Sequence, residues 1–336
     1  MTTEHQAWLA LTAEDAIAPD LPICDPHHHF WDRPSNRYIL EDLLGDTGSG
    51  HNITETVFVE CSSEYLKEGP EALKPVGETV FVQGIADESA ARNDRTEVAA
   101  GIVSSADFTL GDAVTEVLEA HLKASPNRFR GIRHRAAWDP NINASSTGAP
   151  PEGILLDAKF REGYARMEPM NLSFEAWVYH PQIPEVADLA RAFPNISIIL
   201  NHIGGPIVIG PYKGRRNEVL ETWEQSMADL ATCPNVFVKV GGLGMTFTGY
   251  DWHERDQPIG SEELAEAMRP YYLYCVEKFG ADRCMYESNF PVDKASYSYN
   301  VMWNAFKRIS EGFSDSEKAS LFRGTAKRAY RLGAFA

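Results

Sequence analysis

Short apolar runs alternate with longer amphipathic stretches along the whole chain. The runs fall at 23–29 (ICDPHHH), 55–61 (ETVFVEC), 99–108 (AAGIVSSADF), 129–134 (FRGIRH), 173–179 (SFEAWVY), 196–202 (ISIILNH), 236–242 (VFVKVGG) and 283–290 (RCMYESNF). Each has the length and composition of a buried strand, the first and last being the least apolar. Between them, 183–193 carries apolar residues at 183, 186, 189, 190 and 193, the spacing of one helix face, and 217–231 and 261–279 behave alike. Eight strands alternating with helices predict an α/β fold, a single (β/α)8 TIM barrel over residues 21–336 preceded by an N-terminal extension at 1–20. A doubly wound sheet would call for a glycine-rich phosphate loop after an early strand, and no GxGxxG occurs. GDTGSGHN (45–52) and NASSTGAPPEG (143–153) read as loops.

A barrel gathers its chemistry at the C-terminal ends of its strands. Those ends are polar here. His27 and His29 close the first strand, Glu60 the second, Arg133 and His134 the fourth, Trp177, Tyr179 and His180 the fifth, Asn201 and His202 the sixth, Glu287 and Asn289 the eighth. Strand alternation splits the triple histidine of CDPHHHF. Asp25, His27 and His29 are expected on one face, with Cys24, Pro26 and His28 on the other. An HxH pair can converge on one ion or one carbonyl, whereas adjacent histidines cannot. By itself HxH is weak; among the other polar ends it becomes the leading candidate site. His202 ends an almost wholly apolar strand, either as a satisfied core histidine or as a third imidazole. Three neutral imidazoles plus water suit zinc. Arg133 fits either a substrate carboxylate or a structural ion pair. Trp177 and Trp31 are an aromatic wall or plain packing, and Lys239 is placed to pair with a barrel acid.

Charge and cysteine content narrow the partners. The 336-residue chain has a net charge of −17, and its basic clusters, RHR and GRR, are short and isolated. Nucleic acid is therefore excluded as a partner. Five cysteines with no CxxC spacing fit a reducing compartment better than a disulfide scaffold. The N-terminus lacks a basic segment followed by an apolar core, and no apolar run reaches membrane-spanning length. A cytoplasmic protein with no membrane partner is expected, and Arg133 read as a carboxylate holder makes the expected substrate small and anionic; a homo-oligomer is compatible with these features.

In that order and spacing, DPHHHFWD, FRGIRH, ILNHIGGP, KVGGLGM and ESNFPVDK resemble the amidohydrolase superfamily. They are most similar to its amidohydrolase-related (family 2) group of TIM-barrel hydrolases, which includes sugar lactonases and the lactonase acting on 2-pyrone-4,6-dicarboxylate. The likeness runs from residue 20 to 333 and includes the closing segment SEKASLFRGTAKRAYRL. It implies a catabolic hydrolase that attacks a lactone, ester or amide carbonyl with water. It further implies that His27, His29, His202 and position 289 form the site, with one divalent metal, zinc first, on the histidines in some members and none in others. Arg133 is the implied carboxylate anchor; Glu60, His134, Trp177 and His180, from their places at strand ends, are further candidate substrate contacts.

Position 289 departs from the pattern. Asn stands where the group has Asp, and an amide is no base at neutral pH and a weaker cation ligand. Glu287, two residues deeper on the same face, Asp293 in the following loop, and Glu60 across the mouth are the candidate replacements. The leading expectation is a lactonase that opens a carboxylate-bearing lactone. A metal-dependent non-oxidative decarboxylase of an aromatic or unsaturated acid is the first alternative. A non-catalytic ligand-binding barrel, motivated by Asn289, is the second.

Overall fold

The computed structural model describes residues 2–33, 36–142 and 149–333. Eight parallel strands follow one another in sequence order: β1 Pro22–His28, β2 Asn52–Val59, β3 Glu97–Ser104, β4 Phe129–Arg135, β5 Ser173–Trp177, β6 Ile198–Leu200, β7 Val236–Val240 and β8 Cys284–Tyr286. The β1 and β8 edges meet at the mouth through a bridge between His28 and Phe290, where His29 N donates to Phe290 O at 2.9 Å. This is the expected (β/α)8 barrel. Three of its helices, Ile183–Ala192, Arg216–Leu230 and Ser261–Phe279, lie where the apolar spacing puts them. Among the described residues no helix is long and apolar enough to cross a membrane.

Five strands are shorter than their apolar runs, β6 and β8 by the most. β6 stops at Leu200 because His202 and Ile203 adopt left-handed backbone angles (φ 53° and 51°), and β8 stops at Tyr286, short of a left-handed Asn289 (φ 55°). Such angles are unfavourable for a β-branched residue and tolerated by Asn. The polar residues of these segments thus sit on turns that aim them, not on regular strand. Of the loop expected at 45–52, the first part belongs to the helix Leu40–Thr47 and Asn52 opens β2. In the loop expected at 143–153, residues 143–148 lie outside the described residues.

Alternation fails in β1. Its register against β2 shifts between Ile23 and Cys24 and again between Asp25 and His28. Cys24 accordingly packs inside the barrel with Val57, Val59 and Met285. Asp25 accepts from Tyr299 Oη (2.9 Å) on an outer helix and from Ser288 N (3.0 Å), so it does not share His27's surroundings as the plain period of two predicts. His28 does face away, against Phe30, Phe58 and Thr56.

The bottom of the barrel is plugged from the C-terminus. Ala326, Ala329, Tyr330 and Leu332 pack against Val57, Val103, Ile199 and Met285. Above this apolar layer the interior becomes ionic. Glu175 and Lys239 are fully buried, with Lys239 Nζ 2.9 Å from Glu175 Oε2, and Tyr330 Oη and Asn201 Nδ2 also donate to that carboxylate. Lys239 therefore has the acid partner expected of it. A buried ion pair whose acid is removed leaves an uncompensated charge, at a cost of about 3–5 kcal/mol. Glu175→Ala is expected to lower the unfolding free energy by about that amount in urea titration, whereas a change below about 1 kcal/mol would mean that water reaches Lys239.

Candidate active site

The motif KVGGLGM clears the space in which the site is built. A Cβ on Gly241 would lie 2.4 Å from Glu287 Cγ, and one on Gly242 would lie 2.6 Å from His202 Nδ1. Two glycines after β7 let the β6 and β8 turns approach each other. Glu287 and His202, far apart in sequence, meet there. Glu287 Oε1 accepts from His202 N (3.1 Å) and lies 2.7 Å from His202 Nδ1. Once Glu287 is ionised, an oxygen that already accepts a backbone N–H takes a second proton from the ring, so that His202 carries its proton on Nδ1 and keeps a lone pair on Nε2. His29 is set the same way by a different acceptor, since its Nδ1 donates to Val59 O at 2.7 Å.

His27 lies beneath these two. Its ring centroid is 4.6 Å from that of His202 and 4.9 Å from that of His29. Its Nδ1 is 3.3 Å from Lys239 Nζ and 2.6 Å from Glu287 Oε2. Burial, with the nearby Lys239 and Arg133 charges, holds His27 and His202 well below the ordinary imidazole range, and burial beside Arg133 brings His29 to about 3. All three rings are neutral at physiological pH. Burial pushes Glu287 up to about 8, even with Lys239 opposing it. Asp293, also raised by burial, to about 7, accepts from Tyr297 Oη (2.7 Å), Asn289 Nδ2 (2.7 Å) and Gly244 N (3.0 Å). With its Nδ2 committed to Asp293, Asn289 keeps Oδ1 for other partners.

A cavity of about 370 Å³ opens at the strand ends, lined by His29, Arg133, Trp177, His202 and Asn289 among others. His27, Glu287 and Asp293 lie behind this lining. Glu60 is buried behind the two guanidiniums of β4. Arg133 Nε donates to its Oε1 at 2.8 Å, and Arg135 binds both its oxygens at 3.1 Å. Burial alone would raise this carboxyl, but Arg133 and Arg135 together bring it to about 2. Glu60 is thus a permanent anion that orients the arginines and is not itself in the cavity. His134 points outward, between Phe108 and Phe160, with Nδ1 3.1 Å from Ala106 O. His180 accepts from Ile207 N (3.2 Å) and packs on Tyr212. Both stand outside the cavity wall.

Several wall residues were not singled out from sequence. Arg135 is one, and its signal was legible: two residues past Arg133 on the same strand, it shares that face, while His134 cannot. Arg33, from the short strand Trp31–Arg33 after β1, and Thr246 and Phe247, from a 3-10 turn after β7, also line the wall, on segments whose paths no periodicity predicts.

For a metal, the described residues offer one compact donor set: His27, His202 and Glu287, with ligand atoms within 4.8 Å of one another. His29, the third imidazole of the expected set, is not in it. The compact set fits an ion poorly. Glu287 Oε1 is committed to His202, the Lys239 ammonium already faces His27 Nδ1, and position 289 supplies an amide in place of a charge.

Comparison with known proteins agrees with this architecture. A profile of the amidohydrolase family matches residues 24–332. A Sinorhizobium fredii protein named uncharacterized protein y4mH is 34% identical, covering 93% of this chain and 99% of its own. An L-fucono-1,5-lactonase of Burkholderia multivorans is 25% identical over 92% of this chain and 95% of its own. A crystal structure of a Burkholderia multivorans amidohydrolase with bound zinc superposes with a TM-score of 0.71 at 21% identity, covering 92% of this chain and 99% of its own, a likeness of fold.

The misfit for a metal has a direct test. Elemental analysis of freshly purified protein is expected to find metal far below one equivalent, with activity surviving a chelator; stoichiometric zinc lost together with activity would refute it. Asn289→Asp is expected to raise metal affinity, read by titration calorimetry, by restoring an anionic ligand.

Proposed function

Because the chain belongs to the amidohydrolase family, we propose that this hydrolase opens a small carboxylate-bearing lactone by attack of water. The observation that carries the reading is the His202–Glu287 pair, set at the edge of a cavity rich in arginine and aromatic side chains. Lactonases among the relatives support the reaction class.

A neutral imidazole whose Nδ1–H is held by a carboxylate is a general base at its other nitrogen. His202 Nε2 takes a proton from water as the water oxygen bonds to the lactone carbonyl carbon. Collapse of the tetrahedral adduct breaks the ring C–O bond, and the same proton passes to the departing ring oxygen, giving a hydroxy acid. Glu287 holds the ring in position and stabilises the imidazolium that forms in between. It acts through His202, at one remove from the role of direct base that its sequence position suggested. Asn289 Oδ1, with its amide fixed by Asp293, accepts a hydrogen bond from the attacking water. Asp293 positions Asn289 and ties the β8 turn to the Gly244 loop.

Substrate charge follows from the wall. Arg33, Arg133 and Arg135 line the cavity, and no acidic side chain does so among the described residues. Glu60 offsets one of the three cations from behind. The surplus favours an anionic group, and the volume lies at the small end of the range for ligand sites. Trp177, edge-on to His202 at 4.9 Å, and Phe247, 5.7 Å from Trp177, flank the ring.

Two measurements check this. On a panel of lactones, a carboxylate-bearing lactone is expected to be opened with kcat/KM about tenfold or more above that of its methyl ester, and His202→Ala to lose about 10²–10⁴-fold in kcat. Release of CO2 in place of a ring-opened acid would instead make the protein a lyase, and no turnover at all a binding barrel. With Glu287 at about 8, kcat/KM is expected to rise with pH through that value as the carboxylate forms, and Glu287→Gln to abolish the rise.

A further inference from the structure

Of the three imidazoles in the site, two have acceptors at Nδ1 and one has a donor. Val59 O faces His29 and Glu287 Oε1 faces His202, and both take a ring proton. His27 Nδ1 faces the Lys239 ammonium at 3.3 Å, which has protons to give and no lone pair to receive one. Lys239 is held in place from below by Glu175 at 2.9 Å. Glu287 Oε2 is also near His27 Nδ1, at 2.6 Å, but it lies off the line of a hydrogen bond and has no hydrogen-bond partner. At the other end of the ring, His27 Nε2 is buried and likewise has no hydrogen-bond partner.

From this geometry we infer that Lys239 is a positioning residue: its ammonium holds His27 in the Nε2–H tautomer, so that one imidazole of the site donates while His29 and His202 accept. A buried N–H left without an acceptor costs about 1–3 kcal/mol, so the Nε2–H requires an oxygen that the protein does not supply. On the lactonase reading that acceptor is the carbonyl oxygen of the bound lactone, which reaches Nε2 by entering between the His29 and His202 rings that lie over His27, and its hydrogen bond strengthens as negative charge develops there. The assignment also explains the poor fit for a metal, because a ring protonated at Nε2 has no lone pair there and the ammonium repels a cation at Nδ1. What His27 donates to rests on the lactonase reading; its tautomer does not.

Long-range proton–nitrogen correlation NMR of the substrate-free enzyme, labelled at histidine, reads each tautomer directly, with His27→Gln identifying the His27 signal. His27 is expected as Nε2–H, and His29 and His202 as Nδ1–H. An Nδ1–H His27 in the unaltered protein would overturn the inference whatever the substrate proves to be. In Lys239→Met the His27 ring is expected to switch to Nδ1–H toward Glu287, with kcat down about 10²-fold and KM little changed. Lys239→Gln, which keeps an N–H donor, is expected to recover part of the loss. Unchanged kcat in a folded Lys239→Met enzyme would equally overturn it. Should that variant not fold, the tautomer of the unaltered enzyme decides alone.

Discussion

Everything at the mouth of this barrel stands on an ion pair below it. Lys239 and Glu175 are both fully buried in the interior, where a charge without a partner is intolerable. The protein meets that constraint with a saturated cluster. Tyr330 from the closing helix and Asn201 from the β6 turn donate to Glu175, and Lys239 spends its remaining reach on His27. The pair therefore ties the C-terminal plug, the β5–β7 strands and the first histidine of HxH into one network. A floor made of neutral rings has no charge of its own to fix its orientation, and the ionic layer beneath provides it.

The same economy recurs around the cavity. Five groups facing the cavity are oriented by buried groups that do not face it: His202 by Glu287, His29 by Val59 O, Asn289 by Asp293, and Arg133 with Arg135 by Glu60. The three carboxyls involved are all fully buried, and opposing charge separates them. Glu60, between two guanidiniums, stays ionised near 2, whereas Glu287 and Asp293, with less opposing charge, rise to about 8 and about 7. The carboxyls that looked like candidate bases in the sequence are in this way supports for the groups that face the cavity. The Asp-to-Asn change at 289 fits this plan, since an amide can donate to Asp293 and accept on the cavity side, which a carboxylate cannot do.

Alternation decided how far the site could be read before the fold was seen. It separated His28 from His27 and His29, because in an extended strand neighbours point apart. Applied to RHR it also separates His134 from Arg133 and Arg135, and the outward packing of His134 on Phe108 and Phe160 follows that rule. It failed at Asp25, where the β1 register slips and a residue two before His27 turns to Tyr299 instead. A bulge leaves no mark in a hydrophobic pattern beyond the proline that accompanies it.

The sequence by itself determined the eight-strand order, the strand ends where chemistry collects, the HxH pair, His202, and the anomaly at 289. These follow from periodicity and from residue types at adjacent positions, which are local properties. Only the tertiary structure decided which carboxylate meets which imidazole, because Glu60, Glu175 and Glu287 are equally acidic in sequence. What distinguishes them is the company each keeps across the barrel: two arginines, a lysine, or two histidines. Protonation state and tautomer belong to those long-range contacts, and so does the chemistry of the site.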